Sequence, residues 1–448
     1  MAKPRGKQVP QAAPKSSQQD TSLDKGRLSS NTMLFGFLAI AVLGAAVYVN
    51  ASPKLGVAFA GTRACDELPA QAQRINQKAF NVLPAVLPLT ESNATTFFHP
   101  PGTDTESLKA RPFHVYDDEF LNVIGSNPKL SLIAHEASGN PIFHEAVVWY
   151  PPTEEVFFVQ NAGAPAAGTG LNKSSLIYKI SLAQAEAVID KVNASGLVDV
   201  VEAPSNPTVV NPNGGTNYKG QILFAAEGQG ANIPSELVIM NPVEPYNTTV
   251  LLNNYFGRQF SSLNDLAVNP KNNDVYFTDT LYGYLQNFRP PPGLRNQVYR
   301  YNDVTGAVTV VADGFVLPNG VTFSPDGTKA YVADTGANQG FWGWNQSEPS
   351  TIYSYDVLAD GTWDNRKTFS YIDSGVPDGV HCDTNGNVYA GCGDGIHVWN
   401  PSGKLLGKIY LGETSANFNF AGNGRMVICA ETNLYFAEFA AVGGTYIY

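Results

Sequence analysis

Three segments of the chain repeat one phrase, and that repetition constrains the fold more than any other feature. NDLAVNPKNNDVYFTDT begins at Asn264, NGVTFSPDGTKAYVADT at Asn319 and DGVHCDTNGNVYAGCG at Asp378, at intervals of 55 and 59 residues. Each copy opens on an amide or carboxylate side chain and runs on as a strand. It then turns at Pro, Asp, Asn or Gly and returns as a second strand. A repeat of this length built only from strands predicts a β-propeller, with one four-stranded blade per unit. Fainter copies extend it: EAVVWYPPTEEVFFVQN from Glu145, NGGTNYKGQILFAAEG from Asn213, and ANFNFAGNGRMVICAETNLYFAEF around Asn417 and Asn419. The expected architecture is therefore all-β, a six-bladed propeller over residues 110–448. Outer strands fall between the copies, such as QVYRYN with AVTVVAD and TIYSYDV with KTFSYID. SLAQAEAVIDKVNAS, from Ser181, is the one segment of the body that reads as helix. Residues 50–109 form an N-terminal extension expected to pack on the propeller, and the stretch 70–120 is the candidate to supply the strand that closes the ring.

The opening residues stand at the start of the innermost strands, beside the central axis. Glu145, Asn319 and Asp378, with Asn264 and Asn213 beside them, would thus aim side-chain oxygens at one point. All are hard donors, carboxylate or amide carbonyl, and such a set suits Ca²⁺, which takes about 6–8 oxygens in irregular geometry. Asn-Gly and Asp-Gly pairs also form turns, and for Asn319-Gly320 alone a turn is sufficient reason; the glutamate at 145 has no such reason. If the openings lie on one face, the loops after each second strand hang over that point. Those loops are long, Asn161 to Lys173, Glu227 to Ala231, Thr280 to Asn296 and Thr335 to Ser350. They carry Tyr282, Tyr284, Phe288, Arg289, Phe341, Trp342 and Trp344. Asn213, Tyr282, Arg289 and Trp342 are the candidate substrate contacts in a cleft for a small oxygenated ring.

Charge narrows the partners. The chain carries a formal charge of −11, and residues 1–32 hold Lys3, Arg5, Lys7, Lys15, Lys25 and Arg27 against Asp20 and Asp24; subtracting that +4 leaves −15 on the rest. So acidic a body does not suit nucleic acid or an anionic membrane surface. Residues 1–32 read as a disordered basic tail. Met33 to Val49 is an unbroken apolar run with positive charge on its N-side only, a signal anchor or signal peptide that delivers the body to the secretory lumen. The expected location is secreted or type II membrane-anchored, with any membrane contact confined to 33–49. Six acceptor sequons, Asn50, Asn93, Asn172, Asn193, Asn247 and Asn345, agree with that route. Cys65, Cys382, Cys392 and Cys429 allow three disulfide pairings or, for the last three, buried small residues in adjacent blades. Nothing in the sequence sets the oligomeric state.

From Phe143 onward the chain resembles the SMP-30/gluconolactonase/LRE family of six-bladed calcium propellers. It is most similar to the secreted fungal lactonohydrolases in LLNNYFGRQFSSLNDLAVNP, TDTLYGYLQNFRPPPGLRNQVYRYN and AGCGDGIHVWNPSGKLLGKIY. KAFNVLPAV and RPFHVYDDEFLNVIG carry the likeness upstream to about Asn76. The resemblance implies metal roles for Glu145, Asn319 and Asp378 and a metal or substrate contact for Asn264. It also implies hydrolysis of an aldonate, D-pantoyl or similar small lactone. A Ca²⁺ ion there would polarise the lactone carbonyl while a base takes a proton from water. Asp378 is the expected base. His144 and His381 compete for that role, but both are expected on the far faces of their strands. No Gly-x-Ser-x-Gly motif is present. Two other classes remain, a strictosidine-synthase-like propeller using a glutamate and a non-catalytic ligand-binding propeller.

Overall fold

The structure is a computed structural model that describes residues 68–88 and 98–444. The chain divides into two units, residues 1–64 and 65–448, and every described residue belongs to the second. The basic tail, the apolar run 33–49, Cys65 and the sequons at Asn50 and Asn93 lie outside the described residues. Among the described residues no helix is long and apolar enough to cross a membrane.

The strands form six sheets around a ring. The first blade runs outward from Glu145–Tyr150 through Glu155–Val159 and Ile177–Ser181 to Val201–Glu202. The second, third and fourth start at Pro212–Tyr218, Leu263–Val268 and Pro318–Phe323. The fifth starts at Val380–Cys382, and its outer edge is extended by Phe113–Val115 and then Ala72–Arg74. The sixth takes Asn417–Phe420, Asn423–Ala430 and Asn433–Val442 from the C-terminal end, and its fourth strand is Lys129–His135. The ring thus closes by pairing an N-terminal strand with the last blade, but that strand lies beyond 70–120. The upstream stretch widens blade five instead.

Alternation along the strands explains why the blades adhere. In Gln221–Ala226, Ile222, Phe224 and Ala226 pack with Val148 and Phe157 of blade one, while Leu223 and Ala225 pack with Leu266 and Phe277 of blade three. Both faces of an inner strand are buried against a neighbour, so six apolar layers, one between each pair of adjacent blades, make up the core. Burying such side chains contributes about 1.5–3 kcal/mol each. The helix expected from Ser181 is only Leu182–Glu186, a single turn that buries Leu182 and Ala185. Cys382, Cys392 and Cys429 are buried free thiols, and Asn172, Asn193, Asn247 and Asn345 are exposed.

The glycines after the opening residues have a packing role. A Cβ on Gly320 would overlap the Asp378 carbonyl oxygen, one on Gly214 would meet the Asn264 carbonyl oxygen, and one on Gly379 would meet the Asn417 side chain. Each glycine lets one inner strand approach the next blade's opening residue, so these pairs are interblade contacts more than turns.

Candidate active site

Where the first strands begin, the ring encloses a cavity of about 300 Å³. Glu145, Asn213, Asn264, Asn319 and Asp378 line its floor, and the loops above contribute Asn161, Glu227, Tyr282, Asn338 and Trp344. A wider depression, of about 1080 Å³, opens among the turns that join first and second strands, beside Pro151, Gly422 and Arg425. None of the opening residues reaches it.

A local irregularity points these side chains inward. In blades one to four the pairing of the first two strands shifts register at the opening, as between Leu263/Leu266 and Pro318/Val321. Bulges of this kind re-aim side chains at a sheet rim. In blade one the ladder partner of Glu145 is Val159, the place that Leu263, Pro318 and Pro212 hold in their own blades. Glu145 therefore stands one residue ahead of Asn264, Asn319 and Asn213, and the frame expected from sequence is off by one there. Ala146, with φ 52°, takes up the difference in the left-handed region.

Asn264, Asn319 and Asp378 each leave a buried Oδ1 without a hydrogen-bond partner. Buried polar atoms ordinarily find partners, so three orphans in one cavity point to a ligand that accepts oxygen lone pairs. Glu145 is held by Asn417, whose Nδ2 donates to Oε2 at 2.6 Å. Burial, and then the charges of Asp378 and Asp265, drives Glu145 well above the usual carboxylate range. Burial also pushes Asp378 up to about 6, against the opposing pull of His144, and lifts Asp265 and Glu227 to about 7. A cation among these oxygens relieves both the repulsion and the missing partners. Among the described residues no cluster of three or more His, Cys, Asp and Glu side chains is set to hold a metal. The donors here are two carboxylates and amide oxygens, a hard, mixed set that fits Ca²⁺ and does not suit a thiophilic or imidazole-seeking ion.

Three expectations are corrected. His144 lines the cavity and does not face away. It precedes the bulge, so strict alternation does not apply to it; its Nδ1 lies 3.0 Å from Glu431 Oε1, and Asn161 lies 3.0 Å from its Nε2. Burial acts to lower the His144 pKa, but Glu431, together with the charges of Asp378 and Glu227, outweighs it and the net direction is upward. Arg289 does not reach the cavity. Its five donors are taken by the carbonyls of Ser261, Gly230, Ile233 and Phe260 and by the Gln259 side chain, so it ties loops together with nothing left for a substrate. Trp342 stands outside, edge-on to Tyr284 with ring centroids 5.5 Å apart, and Trp344 takes the place at the wall. His381 does face the other end of the channel, edge-on to Phe418.

Sequence reasoning missed Glu227, Asp265, Asn417 and Glu431. A signal existed, since two second strands end in an acid, Asp279 and Asp334, and two more are followed at once by one, Glu227 and Glu431. One residue of register separates their roles. Asp279 pairs with Leu263 and Asp334 with Pro318, and their carboxylates accept the amides of Ser261 and Ser262 and of Val316 and Leu317. In blade two the equivalent residue is Ala226, paired with Pro212. Glu227 comes one later and, by the period of two, turns to the cavity. One of its carboxyl oxygens accepts from the Ser262 hydroxyl, which in turn accepts from the Gly283 amide at 3.0 Å.

Residues 191–432 match the SMP-30/gluconolactonase/LRE-like region. A lactonohydrolase of Aspergillus oryzae, oryL, is 28% identical over 320 residues, 67% of each chain. A second from that organism, oryH, is 24% identical over 69% of this chain and 76% of its own. A gluconolactonase of Zymomonas mobilis is 30% identical over 46% of this chain and 54% of its own. Among solved structures, a gluconolactonase of Xanthomonas campestris superposes with TM-score 0.56 at 20% identity, covering 73% of this chain and 94% of that one.

Proposed function

The chain belongs to the SMP-30/gluconolactonase/LRE-like family and is a lactone-hydrolysing enzyme; from that premise we propose a Ca²⁺-dependent mechanism with Asp378 as general base. Glu145, Asn319 and Asp378 would hold the ion, with Asn264 beside them. The observation that carries this reading is the set of three orphaned oxygens, on Asn264, Asn319 and Asp378, around one acidic cavity. When bound, Ca²⁺ supplies Lewis-acid polarisation of the lactone carbonyl.

The chain's own residues do the rest. Asp378 accepts a proton from the attacking water. Glu227, through the oxygen not engaged by Ser262, gives a proton to the ring oxygen as its bond to the acyl carbon breaks, and the two carboxyls re-equilibrate through solvent. Asn213, Asn264, Asn338 and Tyr282 offer hydrogen bonds to ring substituents, as on an aldonate or pantoyl lactone. Ser262 is fully buried and does not line the cavity, which favours direct attack by water over an acyl-enzyme. We also propose delivery of the body to the secretory lumen, anchored or released at residues 33–49; the exposure of Asn172, Asn193, Asn247 and Asn345 supports it.

The test is pH-stat hydrolysis of a lactone panel with and without EDTA, on the wild type and on Asp378→Asn. EDTA should abolish turnover and Ca²⁺ restore it. Asp378→Asn keeps one donor oxygen and removes the basicity, so a loss of about 10²–10⁴-fold with calcium still bound is expected. Full activity in EDTA, or near-normal turnover in Asp378→Asn, would overturn the assignment.

A further inference from the structure

The cavity wall continues outward as an aromatic shelf that nothing in the described chain covers. Phe341, Trp342 and Trp344 are 49%, 62% and 40% exposed, in a loop that follows the second strand of blade four. The loop is fixed in shape: Gln339 donates to the Gly343 carbonyl at 2.8 Å, Asn345 to the Ala337 carbonyl at 2.9 Å, and Gly340 and Gly343 take positive φ. Below it, Gly340 rests against Leu285, and Trp342 against Tyr284. Three large aromatics left 40–62% exposed on one hydrogen-bonded loop offer apolar area that a ligand can bury, and apolar patches of this kind mark binding surfaces. Its position sets the occupant. Gly340 and Trp344 also line the cavity, so the shelf begins where the acidic floor ends.

We propose that the preferred substrate is an amphiphilic lactone, whose polar ring enters the cavity and whose alkyl or aryl substituent lies along Phe341, Trp342 and Trp344. This rests on the lactone-hydrolysing reading and names its substrate class. The floor, rich in carboxylates and amides, suits the ring and its oxygens; a purely hydroxylated lactone would leave the shelf wet.

The experiment compares γ-butyrolactone, γ-octalactone and γ-dodecalactone, with glucono-δ-lactone as the polar reference, on the full chain and on the double variant Phe341→Ser/Trp342→Ser. A tail that buries one side or both should raise kcat/KM by about two- to fourfold per methylene, from about 0.8 kcal/mol per fully buried CH₂. The ratio of γ-dodecalactone to γ-butyrolactone should then exceed about 100-fold in the wild type and fall toward one in the variant. Tryptophan fluorescence titration with the same lactones reads the shelf without turnover. Affinity that rises with chain length supports the inference even where hydrolysis fails, and that failure would count against the catalytic reading alone. A flat series in both measurements overturns the proposal. Flotation of the wild type, but not the variant, with phosphatidylcholine vesicles beside a flat series would assign the shelf to a lipid surface and overturn it as well.

Discussion

Gly320→Ala, a change of one methyl group, tests whether blade approach sets the site. The added Cβ would overlap the Asp378 carbonyl oxygen and sit 2.9 Å from the Val380 amide nitrogen. Both are backbone atoms of the next blade, so no side chain can swing aside, and relief requires blades four and five to part. Overpacking of this kind costs about 1–3 kcal/mol. The displacement falls on Asn319 and Asp378, which flank the contact, and a misplacement of about 1 Å can cost on the order of 10²-fold in rate. Calcium titration by calorimetry, lactone hydrolysis and urea unfolding should all report on it: weaker calcium binding, kcat/KM down by about 10–10²-fold, and lower stability. Gly293→Ala is the control, since its Cβ meets nothing within 4 Å, and it should change stability by no more than about 0.5 kcal/mol. Wild-type calcium affinity and turnover in Gly320→Ala would refute the argument that interblade glycines assemble the cavity.

Arg289→Lys should lower stability by about 1–3 kcal/mol, because an ammonium cannot span the carbonyls of Ser261, Gly230, Ile233 and Phe260 together; unchanged stability with a raised KM would return Arg289 to the substrate. Burial lowers His114 from 6.5 to about 4, where its Nε2 donates to the Leu108 carbonyl at 3.1 Å. The folded pKa lies below the unfolded one, so this contribution is present above about pH 6.5 and is lost as pH falls toward 4. The stability gap between wild type and His114→Gln should therefore shrink on acidification from pH 7 to 4, by on the order of 3 kcal/mol at most. A gap independent of pH in urea titrations would refute it. Because burial holds Asp378, Asp265 and Glu227 at about 6 to 7, calcium binding should release protons and weaken below about pH 6, which calorimetry in buffers of different ionisation enthalpy would detect.

The number of blades and most of the opening residues were legible in the sequence, because a blade is a local unit and its phrase recurs whole; blade one, where the frame slips by one at Glu145, is the exception. The layered core was legible too, since the period of two assigns alternate residues such as Leu223 and Phe224 to opposite neighbours. Tertiary structure decided what depends on a single step of register or on contacts between distant segments. One residue of shift turns Glu227 into the cavity while Asp279 and Asp334 hold backbone amides, and the bulge at Glu145 brings His144 in with it. Loop packing, which no repeat encodes, consumed every donor of Arg289 and placed Trp344 at the wall with Trp342 outside. The closing strand, Lys129–His135, pairs with residues some 300 positions later, as His135 does with Asn433. Pairing at that separation is set by the closure of the ring and leaves no mark in a local pattern.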